Sequence, residues 1–341
     1  MKQKIIVTGG AGFIGSNVVE ALNKKGIEDI IIVDHLNHHH KVENLKKLRY
    51  SNYFDRGEFL PFLKTLGVKK IDAVIHLGAC ANTQEADKNF LIQNNTIYSN
   101  ILFEFCLANN CQFIYASSAA TYGDGSQGYN DDERNLKPLN NYGYSKHLFD
   151  QWVLDSSEKP RQWVGLKFFN VYGPNEYHKG SMASVILHGF EQIQKDKEIK
   201  LFKSYHEDYP DGGQLRDFVY VKDVTKVILF FLDNPNKSGI FNVGTGKARS
   251  FIDLAKGVFA ALGLNPNIHF IDMPPGLKER YQYFTEANMN KLREIGYREK
   301  FYELEEGIKD YVQNYLLKND SSRILVKPQL SINEEGLFQA P

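Results

Sequence analysis

Tyr142 and Lys146 stand four residues apart in the segment NNYGYSKHLF, and on a helix that spacing puts both side chains on one face, with Tyr144 turned away. A phenol beside an ammonium is a proton carrier. The reference pKa of tyrosine, about 10, is too high for an efficient base at neutral pH, and a cation one turn away favours the phenolate. Such a pair suits the oxidation of an alcohol, which removes a hydride and a proton together. Upstream, a strand-like run ends in Ser117-Ser118, and Ser118 is placed to hydrogen-bond both a substrate hydroxyl and Tyr142. The tyrosine–lysine spacing also occurs on ordinary amphipathic helices. In series with the serine-ended strand and a glycine turn it reads as chemistry, with Tyr142 the base and Tyr144 packing.

A hydride needs an acceptor, and TGGAGFIGSNVVEAL (8–22) offers a place to hold one. Gly9, Gly12 and Gly15 follow a strand-like run and open a helix. Gly9 permits a tight turn, Gly12 lets the backbone approach a pyrophosphate, and Gly15 lets the helix pack closely on the sheet. The free N–H groups and positive dipole end of that helix would face the phosphates. Asp34 closes a second strand 19 residues after Gly15, where an acid holds the adenosine ribose hydroxyls of NAD. A carboxylate there repels a 2′-phosphate, whereas Lys41 and Arg56 could compensate it, so spacing leaves NAD and NADP both open. His38, His39 and His40 invite a metal reading. Three consecutive histidines on an extended strand cannot converge on one ion, and no acid or cysteine stands near at regular spacing, so they are read as loop residues with no metal site.

These groups must be positioned by a sheet. KIIVTG (4–9), DIIIVD (29–34), DAVIHLG (72–78), QFIYASS (112–118) and WVGLKFF (163–169) are nearly continuous apolar runs, the pattern of parallel strands covered on both faces. Helical periodicity over 13–25, 92–109 and 142–158 alternates with them, which predicts an α/β fold with a doubly wound parallel sheet. Beyond residue 170 the pattern loosens: a helix at 182–194, a polar loop at 203–214, a strand and helix over 216–233, and helices at 250–262 and 302–317. The expected organisation is a dinucleotide-binding domain from 1–170 and about 216–244, interleaved with a smaller substrate domain from about 171–215 and 245–318. Residues 319–341 form a tail of unknown role.

Composition narrows the class. Hydrophobic residues are 42% of the 341, enough for a sizeable core, and 41 basic against 41 acidic residues leave no basic field for nucleic acid. No apolar run is long enough to span a bilayer, and the three cysteines (Cys80, Cys106 and Cys111) lack metal-ligand spacing. The expectation is a soluble cytoplasmic protein without disulfides, nucleic-acid partner or membrane association.

TGGAGFIGSN, YASSAATYG, YGYSK and FFNVYGP together resemble the extended short-chain dehydrogenase/reductase superfamily over roughly residues 1–318. HLGAC (76–80), NVYGPNEYHKGSMAS (170–184), LRDFVYVKDV (215–224), FNVGTGKARSF (241–251) and KERYQYFTEANM (278–289) narrow the resemblance to the ADP-L-glycero-D-manno-heptose 6-epimerase family, HKGSMAS being the most specific. The resemblance implies a tightly bound NADP that oxidises carbon 6 of an ADP-heptose to a ketone and returns the hydride to the opposite face, for a precursor of the lipopolysaccharide core. It also implies a homo-oligomer, a pentamer. The family's two bases fall on Tyr142 and Lys179. Its cofactor contacts fall on Phe13, Ile14, Asp34, His35, Lys41, Arg56, the run Leu77, Gly78, Ala79, Cys80 and Ala81, and on Asn94, Lys146 and Val171. Its substrate contacts fall on Asn170, Ser181, His188, the run Phe202, Lys203, Ser204 and Tyr205, and on Arg216 and Tyr281. His35 stands where the family often has Asn, and Arg56 where Lys is common. HEDYPDGGQ (206–214) looks like an insertion beside a substrate segment. Arg216 suits a diphosphate, its guanidinium being able to bind two oxygens at once, though an ion pair with Asp217 would also satisfy it.

The rival readings are a 4-epimerase or 4,6-dehydratase of nucleotide sugars and a non-catalytic dinucleotide-binding module. A dehydratase needs a carboxylate pair next to the position of Ala120-Thr121, where none stands, and a non-catalytic module has no need of Ser118, Tyr142 and Lys146. A 4-epimerase shares the mechanism and lacks the HKGSMAS segment.

Overall fold

The computed structural model describes residues 3–65, 71–278 and 281–318; the tail expected at 319–341 lies outside the described residues. In β1 (Ile5–Thr8) and β2 (Ile30–Asp34), alternate apolar residues go to opposite faces. Ile5, Val7, Ile30 and Ile32 join one core cluster, and Ile6, Ile31 and Val33 join another. Each such side chain contributes roughly 1.5–3 kcal/mol on burial, and a strand buried on both faces must be covered by helices on both.

The covering helix α1 (Phe13–Lys24) lies between those two strands. The chain continues through α2 (His39–Leu45), β3 (Asn52–Asp55), α3 (Arg56–Thr65) and β4 (Ala73–His76). Next, α4 (Lys88–Leu91) and α5 (Tyr98–Ala108) run on through a π-helical turn, Ile92–Ile97. After β5 (Gln112–Ser118), α6 (Asn141–Asp155) and β6 (Gln162–Phe168), the remaining strands are β7 (Asn170–Tyr172), β8 (Ile199–Phe202), β9 (Leu215–Tyr220), β10 (Gly239–Val243), β11 (Ala248–Ser250) and β12 (Ile268–Ile271). Among them lie α7 (Val185–Asp196), α8 (Val221–Asp233) and α9 (Phe251–Ala261), followed by α10 (Asn290–Glu294) and α11 (Leu304–Tyr311).

The main sheet has the order β10-β6-β5-β4-β1-β2-β3, and every neighbouring pair is parallel. This is the expected doubly wound sheet. Strand order reverses between β1 and β4, and the crevice beyond the carboxyl ends there is where such sheets bind ligands. The glycine turn after β1, Leu77–Ala81 after β4 and Ser118 at the end of β5 all open at that end.

Two small sheets, β11-β9-β7 and β12-β8, carry the rest. Ile186, Leu187 and Phe190 of α7 meet Leu254 and Val258 of α9 and Ile308 of α11 in a third core cluster. The strand read at 216–233 therefore belongs to a small sheet, while the helix after it returns to the main core through Val224, Val227 and Ile228. The histidine run, expected as loop, instead opens α2: His38 is its N-cap, accepting from the His40 N–H at 3.2 Å, and the three rings lie against one another. Among the described residues no helix is long and apolar enough to cross a membrane, and no three His, Cys, Asp or Glu side chains are arranged to hold a metal.

Candidate active site

The turn after β1 is built by close approach. Gly9 has φ +68°, and a Cβ on Gly15 would lie 2.0 Å from the Gly9 carbonyl oxygen, so α1 can start here only without side chains at these positions. Gly12 caps α1 with no side chain, and the first turn holds no acid. Its N–H groups are therefore left for an anion. Phe13 is buried, and Ile14 packs against both neighbouring cores. Asp34, at the end of β2, accepts from the Ala11 N–H at 2.9 Å on Oδ2, and from the His35 N–H at 2.7 Å and Lys41 Nζ at 2.9 Å on Oδ1. His35 pairs with Asp55 at 2.9 Å, and Arg56 is exposed at the start of α3. A pyrophosphate-linked dinucleotide fits this cradle.

Leu77 and Gly78 are tied to Thr8, through its carbonyl at 3.0 Å and its hydroxyl at 3.1 Å. The rest of that loop is held by a residue the sequence reading passed over. Asn95 grips Cys80 at both its N–H, 2.8 Å, and its carbonyl, 3.0 Å, and donates to Ser145 Oγ at 3.0 Å. Asn94, the residue carried over from the family, lies beside it and donates to the Phe90 carbonyl one turn earlier at 2.7 Å. The π-helical turn contains both residues. Such turns cluster at functional sites, but nothing in IQNNTI marks one in advance.

Ser118 and Tyr142 meet. A hydrogen bond joins the serine hydroxyl to the phenol, burial raises the phenol's pKa, and that bond pulls it back down. Lys146 donates to the Ala116 carbonyl at 2.9 Å, and burial lowers it to about 8 against the field of Asp150. The Tyr144 ring lies instead under Lys88 Nζ, 4.3 Å away. Asn140 starts α6 by accepting from the Gly143 N–H at 2.7 Å. A Cβ on Gly143 would lie 2.5 Å from the Ala120 carbonyl oxygen, so this glycine lets the helix press on the turn that follows Ser118. Gly143→Ala is expected to part Tyr142 from Ser118 and lower kcat by about 10²-fold, since a displacement near 1 Å can cost that much. Steady-state kinetics beside a melting curve would check it; wild-type kcat would show the contact to be slack.

Ser118, Tyr142, Asn170, Arg216 and Tyr281 line one cleft of about 730 Å³, closed on the far side by Pro274–Leu277 and bordered by Thr83. Arg216, buried at its floor, donates to the carbonyls of Leu215 (2.8 Å) and Gln282, and its guanidinium lies 5.3 Å from the Tyr281 ring. Among the described residues no carboxylate pairs with it. Asp217 is engaged elsewhere, by the N–H groups of Thr245, Gly246 and Ala287.

Residues 5–244 match the model of the NAD dependent epimerase/dehydratase family. The chain is 53% identical to the ADP-L-glycero-D-manno-heptose-6-epimerase of Fusobacterium nucleatum, over 93% of this chain and 99% of that one. The chain belongs to the ADP-L-glycero-D-manno-heptose-6-epimerase family. It is an epimerase, and its family uses a nicotinamide cofactor. The enzyme of the same name from Brachyspira hyodysenteriae is 42% identical over 91% of this chain and 96% of its own. The Helicobacter pylori structure of that name superposes with a TM-score of 0.78 at 30% identity, covering 92% of this chain and 96% of its own.

The family's second base position, Lys179, lies on a 3₁₀ turn, Tyr177–Met182, with Nζ 5.2 Å from the Phe13 ring centroid at the start of α1. Burial lowers its pKa, and the buried Glu176 opposes the fall. Glu176 is fixed by the Ser184 N–H at 2.7 Å and the Ser184 hydroxyl at 2.6 Å. The turn borders the cleft through Met182, whose Sδ is 3.9 Å from Thr83 Oγ1. Ser181 is exposed on it, His188 faces Glu191 at 3.8 Å, and Val171 packs between two cores. Phe202–Tyr205 lies outside the cleft lining. The Tyr205 N–H donates to the Tyr283 hydroxyl at 3.0 Å, while Lys203 and Tyr205 hold Asp272 at 3.3 and 2.6 Å. Ser204 donates its N–H to Asp211 of the insertion-like loop at 2.7 Å. The structure thus gathers five of the expected residues in one cavity, with Lys179 against Phe13 and Phe202–Tyr205 outside its lining.

Proposed function

We propose that the protein interconverts ADP-D-glycero- and ADP-L-glycero-β-D-manno-heptose at carbon 6, supplying a precursor of the lipopolysaccharide core. The observation that carries this reading is a buried Arg216 with no carboxylate partner among the described residues, in the same cleft as Tyr142 and Ser118. A buried guanidinium left to carbonyls and tyrosine rings lacks the charge that would offset its desolvation, and a diphosphate supplies it with bidentate geometry.

In this reading Tyr142 takes the proton of the carbon 6 hydroxyl while Ser118 holds the oxygen in place. Bound nicotinamide supplies the hydride acceptor and, in the return step, the donor. Lys146, beside Tyr142 on α6, supports the phenolate by its charge. Lys179 serves the opposite face: its lowered pKa leaves more neutral amine at a given pH, so it can exchange a proton with the reoriented substrate. Arg216→Met is expected to raise KM by about 10²-fold with kcat less affected, because diphosphate contacts are made equally in ground and transition states. An unchanged KM would remove the diphosphate assignment.

NADP is the proposed cofactor. Both oxygens of Asp34 are already engaged by Ala11, His35 and Lys41, which leaves the acid less to offer a ribose hydroxyl, and Lys41 and Arg56 supply charge for a 2′-phosphate. The family resemblance adds a cytoplasmic homo-oligomer, a pentamer.

Purified protein incubated with ADP-D-glycero-β-D-manno-heptose and no added cofactor should give both carbon 6 epimers by proton NMR, and nucleotide released on denaturation should be NADP. No conversion after adding NADP or NAD would overturn the substrate; release of NAD alone would overturn the cofactor.

A further inference from the structure

Outside the cleft lining, behind Tyr142 and Lys146, lies a buried ion pair. Asp150 and Lys167, with side chains 3% and 2% exposed, are 3.1 Å apart. Asp150 stands one turn beyond Lys146 on the same face of α6. Its Oδ2 also accepts from the Ser117 hydroxyl at 2.6 Å, and its Oδ1 from the Tyr115 hydroxyl at 3.0 Å. Lys167, on β6, also donates to the Thr121 hydroxyl at 2.7 Å, which in turn donates to the Ser118 carbonyl at 2.8 Å. Lys146 itself donates to Ala116, the residue before Ser117. Four consecutive residues of β5, Tyr115 to Ser118, are thus joined through one polar network to the helix that carries Tyr142 and Lys146.

Stability alone gives a weak reason for such a pair, because apolar side chains of similar volume often replace a buried ion pair without loss. Its position suggests another use. We propose that Asp150 is the counter-charge that keeps Lys146 protonated and set against Tyr142, and that Lys167 anchors Asp150 to the Ser118 turn. Both are positioning residues for the proton transfer, an assignment that rests on reading Tyr142 as the proton carrier.

The other groups facing Lys146 are Cys80 on the loop after β4 and His76 of β4, while Tyr142 stands one turn before it on α6. His76 is held neutral by burial, with a pKa of about 3, between Thr8 and Ser99. Asp150 is faced by Lys167, Tyr115 and Ser117, and near it His147 is lowered by burial. Burial pulls Lys146 down, and Asp150 is the main group that opposes the fall.

Tyrosinate absorbance of the holoenzyme, titrated by pH against the matching Tyr142→Phe protein, isolates the Tyr142 phenol. Without its counter-charge Lys146 gives up its proton more readily and no longer supports the phenolate. In Asp150→Asn the midpoint should therefore rise by about one pH unit. The double variant Asp150→Leu/Lys167→Met removes the ion pair as a whole and should shift the same way by less. A double variant with an unmoved midpoint would make the pair purely structural and overturn the proposal, even if the single variant fails to fold. If the native enzyme and Tyr142→Phe titrate alike, the reading of Tyr142 fails and this assignment falls with it, whichever nucleotide sugar proves to be the substrate.

Discussion

Tyr142→Phe is expected to lower kcat by roughly 10²–10⁴-fold, the usual worth of a positioned proton carrier, while the cofactor stays bound and the melting temperature barely moves. Only the hydroxyl is lost, and the ring keeps its place at the start of α6. Ser118 is not orphaned, because its oxygen still accepts from the Ala120 N–H at 3.1 Å. The pH profile should change as well. Burial raises the native phenol, so native activity climbs with pH on the acid side as the phenolate forms. The Phe variant loses that limb and keeps a low, flat rate. Stopped-time NMR assays across pH, with cofactor content read by absorbance after gel filtration, check both statements. A variant that loses cofactor or fold would make Tyr142 structural, and one that keeps the acid limb would move the base elsewhere.

Lys179→Met is expected to cost about 10²-fold in kcat with KM little changed. Methionine fills much of the volume of the lysine stem beside Phe13, so packing is largely preserved. Deleting a buried ammonium also removes its desolvation cost, which offsets the loss of its attraction to Glu176. The glutamate keeps its bonds to Ser184, so the turn should hold. Lys179→Arg sharpens the test. Arginine retains the charge but does not deprotonate in this pH range, so it should do no better than methionine if the residue moves a proton. Recovery of activity in the arginine variant would mean that Lys179 acts by charge alone, and wild-type turnover in the methionine variant would end the two-base mechanism.

Much of the scaffold was legible because burial on both faces forces continuous apolar strands. KIIVTG and DIIIVD carry β1 and β2, whose residues are buried throughout. By contrast, β3 is the four residues NYFD, and α3 carries Pro61 within it, so neither shows a clean period. The strands β7, β8, β11 and β12 are three or four residues long and exist through pairing with distant partners. Within the site, Tyr142, Ser118 and the glycine turn were visible because their chemistry depends on local spacing. Pro274–Leu277, which lines the cleft, and Asn95, which holds the loop after β4, act across the fold, and sequence distance hides such contacts.

Asn95 reaches Cys80 from the π-helical turn over Ile92–Ile97. A π-turn is one residue more than an α-helix needs, and each α-helical residue advances the side chains by about 100°. The wider turn takes up that residue and leaves the flanking helices in phase. Deleting one residue from IQNNTI would let the turn close as regular α-helix, with Leu102, Phe103 and Cys106 still facing the sheet. Inside the turn the side chains would shift, and Asn95 would leave Cys80. The core on this helix should therefore tolerate the deletion, while the loop after β4 should not.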